Sequence, residues 1–244
     1  MEDDIKEPFL HYKEDENEED IEKEIAQKIR GGFIVKIYGI LLYQLVITSL
    51  VVFLSLTCPS FKRLLLGSYF LYFLSIVAFI ACLLSPICYP NIFQKVPSNY
   101  IVLTIFTLSY SWYIACITCT YSFGSVMSAI FLTFVTVVSL TIYAKKTEKD
   151  FSIRGGSLFT TFNLLIFSFI IYIFFRIPLF LLLTEALTLI LACIYIIYDT
   201  QLIIGNKDRK FKEDDYILGA MNIYLDVILL FLRLLSLFGK KENN

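Results

Sequence analysis

Apolar residues gather along this chain in seven long blocks, at about 37–56, 64–84, 100–121, 126–143, 158–175, 179–204 and 216–238. Each is close to the length a helix needs to cross the ~30 Å hydrocarbon layer, and a helix in lipid satisfies its own backbone without a partner. The breaks carry turn-forming residues: Cys58-Pro59-Ser60, Ser85-Pro86, Tyr89-Pro90, Ser122-Phe123-Gly124, Gly155-Gly156 and Ile177-Pro178. Short loops make neighbouring helices antiparallel. The pattern predicts an all-α polytopic membrane protein.

Composition agrees. The chain is 57% hydrophobic with a mean hydropathy of +0.71, against roughly 45–50% apolar residues in a soluble domain. The net charge of −1 hides an asymmetry: residues 1–25 hold twelve Asp or Glu and three Lys, a net of −9, and the remainder nets +8. Three regions follow: an acidic, disordered cytoplasmic tail over 1–28, a seven-helix transmembrane domain over 29–239, and a short tail over 240–244. The start is not basic and then apolar, so no cleaved signal peptide is expected and the first span does the targeting.

Basic residues set the expected orientation. The flank through Lys36, together with the loops after blocks two, four and six, holds fifteen Lys or Arg. The other side holds Lys62, Arg63, Arg176, Lys240 and Lys241 if block seven fully crosses. The N-terminus is therefore expected in the cytoplasm. A re-entrant block seven would instead return Lys240 and Lys241 to that side, and both arrangements stay open.

The chemistry lies in two acids. Asp199 sits in the run Ile194-Tyr195-Ile196-Ile197-Tyr198-Asp199-Thr200-Gln201, and Asp226 in Ile223-Tyr224-Leu225-Asp226-Val227-Ile228. An ionised carboxylate in hydrocarbon costs at least ~2.5–3.5 kcal/mol, so an intramembrane acid is a candidate functional residue. Two carboxyls in one low-dielectric site cannot both ionise cheaply and titrate as a unit. Such a pair can hold a proton, bind a cation such as Ca²⁺ transiently, or latch two helices together; it can also be a purely structural hydrogen-bonded pair. Asp226 lies ~15 Å from the start of its block, so the two meet only if helices tilt or block seven begins outside the hydrocarbon. Thr200, Gln201 and Asn222 can add neutral oxygens. Arg233, two turns after Asp226, is either its counter-charge or a snorkelling interfacial residue. Glu185, ~21 Å of helix before Asp199, either lines the far end of a pathway or sits among headgroups.

The remaining residues carry less. The six cysteines fall mostly inside apolar runs and read as packing residues, Cys116-x-x-Cys119 included. His11, Trp112 and the many Tyr and Phe support no site. There is no glycine-rich phosphate loop, no Gly-x-Ser-x-Gly, no histidine-rich metal cluster and no nucleic-acid pattern.

Three stretches resemble the transmembrane Bax inhibitor motif family, closest to its lifeguard and Golgi anti-apoptotic protein branch. They are Ile29-Arg30-Gly31-Gly32-Phe33 through Gln44-Leu45, then Lys149-Asp150-Phe151-Ser152, and the C-terminal set from Tyr198-Asp199-Thr200-Gln201 through Asp214-Asp215-Tyr216 to Asn222-Ile223-Tyr224-Leu225-Asp226. The resemblance covers about residues 29–238. It implies a seven-helix bundle with the last helix central, no enzymatic activity or cofactor, a pH-sensitive Ca²⁺ leak from stores such as the endoplasmic reticulum or Golgi, and inhibition of apoptosis. Asp199 and Asp226 take the positions of the family's paired aspartates, the pore and pH-sensing site. Ca²⁺ and protons are the implied partners beside membrane lipid, with cell-death regulatory proteins as further candidates. Some members carry an arginine in the second span as partner to the pair; block two here has no basic residue, which makes Arg233 the candidate replacement.

Two rival classes remain. A non-conducting interaction protein would use the acidic tail or the membrane domain to bind partners. An intramembrane aspartyl protease also places aspartates on consecutive spans, but needs Gly-x-Gly-Asp where this chain has Ile223-Tyr224-Leu225-Asp226, and no proline follows Pro178.

Overall fold

The computed structural model describes residues 3–89, 92–93, 95–147, 178–205 and 213–242, and the side chains of these except 3–20, 178 and 213. Among the described residues are seven α-helices: α1 (Asp3–Thr57), α2 (Pro59–Gly67), α3 (Tyr69–Cys88), α4 (Ser98–Thr118), α5 (Phe123–Lys146), α6 (Pro178–Ile204) and α7 (Tyr216–Phe238). All but α2 are long and apolar enough to cross a membrane, so the chain is an integral, multi-pass membrane protein. The block expected at 158–175 lies outside the described residues.

Two boundaries differ from the hydropathy pattern. Block two, expected at 64–84, is divided. Gly67 ends the short helix α2, and the Ser68 hydroxyl accepts from Leu71 N at 3.4 Å to start α3, as a serine N-cap does. Pro59 opens α2, and Pro86 falls in the last turn of α3. The leucines at 64–66 thus belong to α2, where Leu65 is buried and its two neighbours are exposed. The acidic segment also differs: α1 begins at Asp3, where sequence suggests a disordered tail. Glu and Lys are good helix formers, and acids near a helix N-terminus oppose its dipole favourably.

The last helix is the centre. Its most apolar window is 61% buried, against 6% for α3, and it packs on α1, α4, α5 and α6. Small residues at Gly219 and Ala220 admit close neighbours, and Tyr224, Leu230 and Leu235 are fully or almost fully buried. In lipid the hydrophobic effect does not press helices together, so packing and interhelical hydrogen bonds hold them. Several such bonds cross the bundle; among them Tyr224 shares a 2.7 Å hydrogen bond with the Thr48 hydroxyl on α1, and Gln44 Nε2 donates to Thr107 Oγ1 on α4 at 3.2 Å. Aromatic rings of α3 and α4 stack beside them, Phe79 on Tyr110 at 4.4 Å and on Phe106 at 5.4 Å.

Both ends of α7 are fixed, which decides its path. At its start, Asn99 Nδ2 donates to the Tyr216 hydroxyl at 2.9 Å, and Lys36 Nζ lies 3.2 Å from the Tyr216 ring centroid. After its end, Ser122 N donates to Lys240 O, Glu242 N to Thr120 O, and Lys240 N to Ser125 Oγ. Lys62 on α2 completes the clip with a 2.6 Å ion pair to Glu242. Since α4 runs from Ser98 to Thr118 between those two sites, α7 crosses the whole bundle. The re-entrant arrangement does not apply, and the tail after Phe238 lies at the end opposite Lys36. We refer to the Lys36 side as the near end and the Lys240 side as the far end.

Phe106 is wholly buried and Phe131 is 66% exposed on the outer face of α5. Phe106→Ala should therefore cost about 3 kcal/mol and Phe131→Ala within about 0.5 kcal/mol, read as thermal unfolding of the purified protein in one detergent.

Candidate functional site

The two aspartates are positioned by α6 and α7 and by what stops each helix. Gly205 ends α6 with φ +79° and donates its N–H to Gln201 O at 3.0 Å, a left-handed terminus suited to glycine. Arg30 of α1 closes the same end. One guanidinium nitrogen donates to Leu202 O at 2.6 Å, and the group lies 4.5 Å from the Phe33 ring centroid. A Cβ on Gly205 would stand 2.7 Å from Arg30 Nε, so the glycine serves both backbone conformation and cap. A cation over the last carbonyls also complements the helix dipole. Asp199 sits just over one turn before this cap. On the partner helix, a 3₁₀ turn over Glu213–Asp215 precedes Tyr216. The first turns of α7 extend beyond the end of α6 to reach Asn99 and Lys36, and Asp226 is thereby brought level with Asp199.

The two carboxyls lie within hydrogen-bonding reach of each other. Asp199 is buried and Asp226 half-buried, with Asp226 Oδ2 itself buried and lacking any partner in hydrogen-bonding geometry. Among the described residues no basic side chain is seen bonded to either carboxyl. Two carboxylates are acceptors only, so a hydrogen bond between them needs a proton on one of the two. The Tyr195 phenol is near enough to both carboxyls to interact with them electrostatically, a neighbour that sequence reading passed over although it stands one turn before Asp199. Another was Tyr38, whose hydroxyl approaches Thr200 and Thr141. Thr200 Oγ1 remains buried and outside good hydrogen-bond geometry all the same.

The supporting residues divide. Thr200 and Gln201 are buried next to Asp199. Asn222 is exposed: it is one turn from Asp226 but turned away from the buried side, so it is not part of the enclosed site. Arg233 is not the counter-charge of Asp226. Its Nη1 donates to Glu185 Oε2 at 2.8 Å. Glu185 is accordingly an ion-pair partner inside the span. Among the described residues no group of three or more His, Cys, Asp or Glu assembles to hold a metal. Ca²⁺ takes six to eight oxygens, more than two carboxyls supply, so the pair suits a passing cation and not a resident one.

Over most of its length the chain is similar to known proteins. The family model described as "Inhibitor of apoptosis-promoting Bax1" matches residues 30–243. A "BI1-like protein" of Arabidopsis thaliana is 38% identical over 222 residues, covering 88% of this chain and 83% of that protein. "Protein LIFEGUARD 4" of the same plant is 35% identical over 226 residues, covering 89% and 88%. "Protein lifeguard 3" of Mus musculus is 30% identical over 221 residues, covering 88% and 71%.

The pairing is open to a direct check. In a background with the native cysteines replaced, Asp199→Cys with Asp226→Cys should cross-link under a membrane-permeant oxidant. Asp199→Cys with Asn222→Cys should not, as read by mobility on a gel after cleavage between the two helices.

Proposed function

The chain belongs to the family of inhibitors of apoptosis-promoting Bax1, and on that premise we propose that it is a pH-sensitive Ca²⁺ leak of an intracellular membrane, endoplasmic reticulum or Golgi, that lowers store calcium and so inhibits apoptosis. The observation that carries the reading is the carboxyl pair between α6 and α7, which lies within spanning segments and has no base bonded to it among the described residues. A charge placed there costs free energy unless it is neutralised. With one proton shared, the pair is a hydrogen-bonded clasp carrying a single charge. When that proton leaves, two like charges stand in contact where water does not screen them, and their repulsion drives α6 and α7 apart. The same two charges attract a divalent cation. The names of the relatives, BI1-like and lifeguard, support the protective role, and the basic flank of α1 supports a cytoplasmic N-terminus.

The test is Ca²⁺ flux from liposomes containing the purified protein, measured against pH. Flux should rise as pH increases through the titration of the pair, because loss of the shared proton opens the clasp. Asp199→Asn and Asp226→Asn each leave a neutral amide that still donates to the remaining carboxylate, so flux should fall several-fold and lose its pH response. Wild-type and both variants conducting alike at every pH would rule the pair out as the gate. No flux from any of them would favour a non-conducting, partner-binding protein.

A further inference from the structure

We propose that Arg233 and Glu185 form a second, charge-selecting constriction on the α6–α7 pathway, at the far end from the aspartates; this rests on the leak reading and adds the residues that set which ions pass. Both groups lie inside spanning segments. Glu185 is six residues into the window Leu179–Ile204, and Arg233 is five residues before Phe238, so each is ~8–9 Å of helix inside its end. Ionisable side chains at such depth almost always face a bundle interior or a water-filled cavity and pair with one another. These two pair at 2.8 Å.

Three observations make the pair more than a bolt between helices. First, Arg233 Nε is buried with no hydrogen-bond partner. A guanidinium offers five donors in a fixed fork, and a carboxylate placed only to staple α7 would be expected to take two of them side by side. Second, the pair is not sealed off: the Arg233 side chain is 32% exposed and that of Glu185 15%. Third, Arg233 and Asp226 share one side of α7. At 3.6 residues per turn, residues seven apart differ by only about 20°. That side flanks the least buried stripe of the helix, formed by Asn222, Leu225, Leu229, Leu232 and Ser236, in which Asn222 and Ser236 are exposed and polar. The carboxyl pair and the ion pair therefore punctuate the same track, one acidic and one balanced. Arg233 also lies close enough to Tyr110 of α4 to act on it electrostatically.

The balance of the pair sets the barrier. With both charges present the constriction is neutral. Neutralising the arginine leaves an acid that draws cations in; neutralising the acid leaves a base that repels them. A staple makes no such distinction, since losing either partner loosens the same contact.

The experiment measures Ca²⁺ flux from liposomes at one pH for Glu185→Gln, Arg233→Gln, the double Glu185→Gln/Arg233→Gln and the swap Glu185→Arg/Arg233→Glu, with Asp199→Asn as control and thermal unfolding in detergent alongside. Arg233→Gln should raise flux and Glu185→Gln should lower it, each by roughly tenfold for a unit charge acting on a divalent ion at this range. The double variant and the swap should lie near wild type, and both singles should lose similar thermal stability. Both singles moving flux in one direction, or neither moving it while Asp199→Asn does, would overturn the constriction and leave the leak reading standing. No flux from any variant would overturn both.

Discussion

Two carboxyl groups set against each other inside a membrane impose the constraint from which the rest of this bundle follows. In water they would ionise and separate. Here each charge is opposed by several kcal/mol of lost hydration, which favours a state in which the two stand together and share a proton. That state exists only while α6 and α7 are held in register, and the fold supplies the register at several points. Arg30 and Gly205 fix where α6 stops. Asn99 and Lys36 hold the start of α7, and the backbone clip between Thr120, Ser122 and the residues after Phe238 holds its end. None of these contacts touches an aspartate, yet a slip of α7 by one residue would rotate Asp226 by about 100° and move it 1.5 Å along the axis.

Helical angles explain how one central helix serves several partners. Tyr224 and Asp226 are two residues apart, so their side chains leave α7 on nearly opposite sides. Tyr224 turns to Thr48 on α1, and Asp226 turns to α6. Arg233 returns to the Asp226 side two turns on. The buried hydroxyl bonds therefore occupy one side and the ionisable groups the other. The partition separates what only needs to be tight from what can change its charge.

The residue types announced the pair, because acids within apolar runs are expensive and block lengths placed them on consecutive spans. The geometry that joins them was less legible. Hydropathy averages over windows and cannot see that Gly67-Ser68 divides block two, although glycine followed by an N-cap serine carries that information. Helical spacing put Asn222 beside Asp226 but could not say that a 40° difference in direction leaves it exposed. Arg233 was read against the nearest acid in sequence, when its long side chain and the antiparallel packing of α6 gave it Glu185, 48 residues away. Arg30 was visible only as part of a family stretch, since nothing local says that its guanidinium closes a helix 172 residues further on.

The arrangement of bases then bears on how the pair responds. Where an arginine faces two carboxylates, the positive charge can hold them together with no proton bound, and the closure is proportionately less sensitive to pH. In this chain α3 has no basic residue, the α6 cap spends Arg30 on a backbone carbonyl, and Arg233 is engaged with Glu185. Among the described residues no further base reaches Asp199 or Asp226, and on the leak reading their neutralisation falls to the proton itself. A clasp whose single positive component exchanges with solvent is one whose closure is set by proton concentration. On the leak reading, the lack of a basic partner among the described residues makes the pathway more dependent on pH, and the far-end ion pair adds a barrier of another kind, set by the balance of two opposite charges.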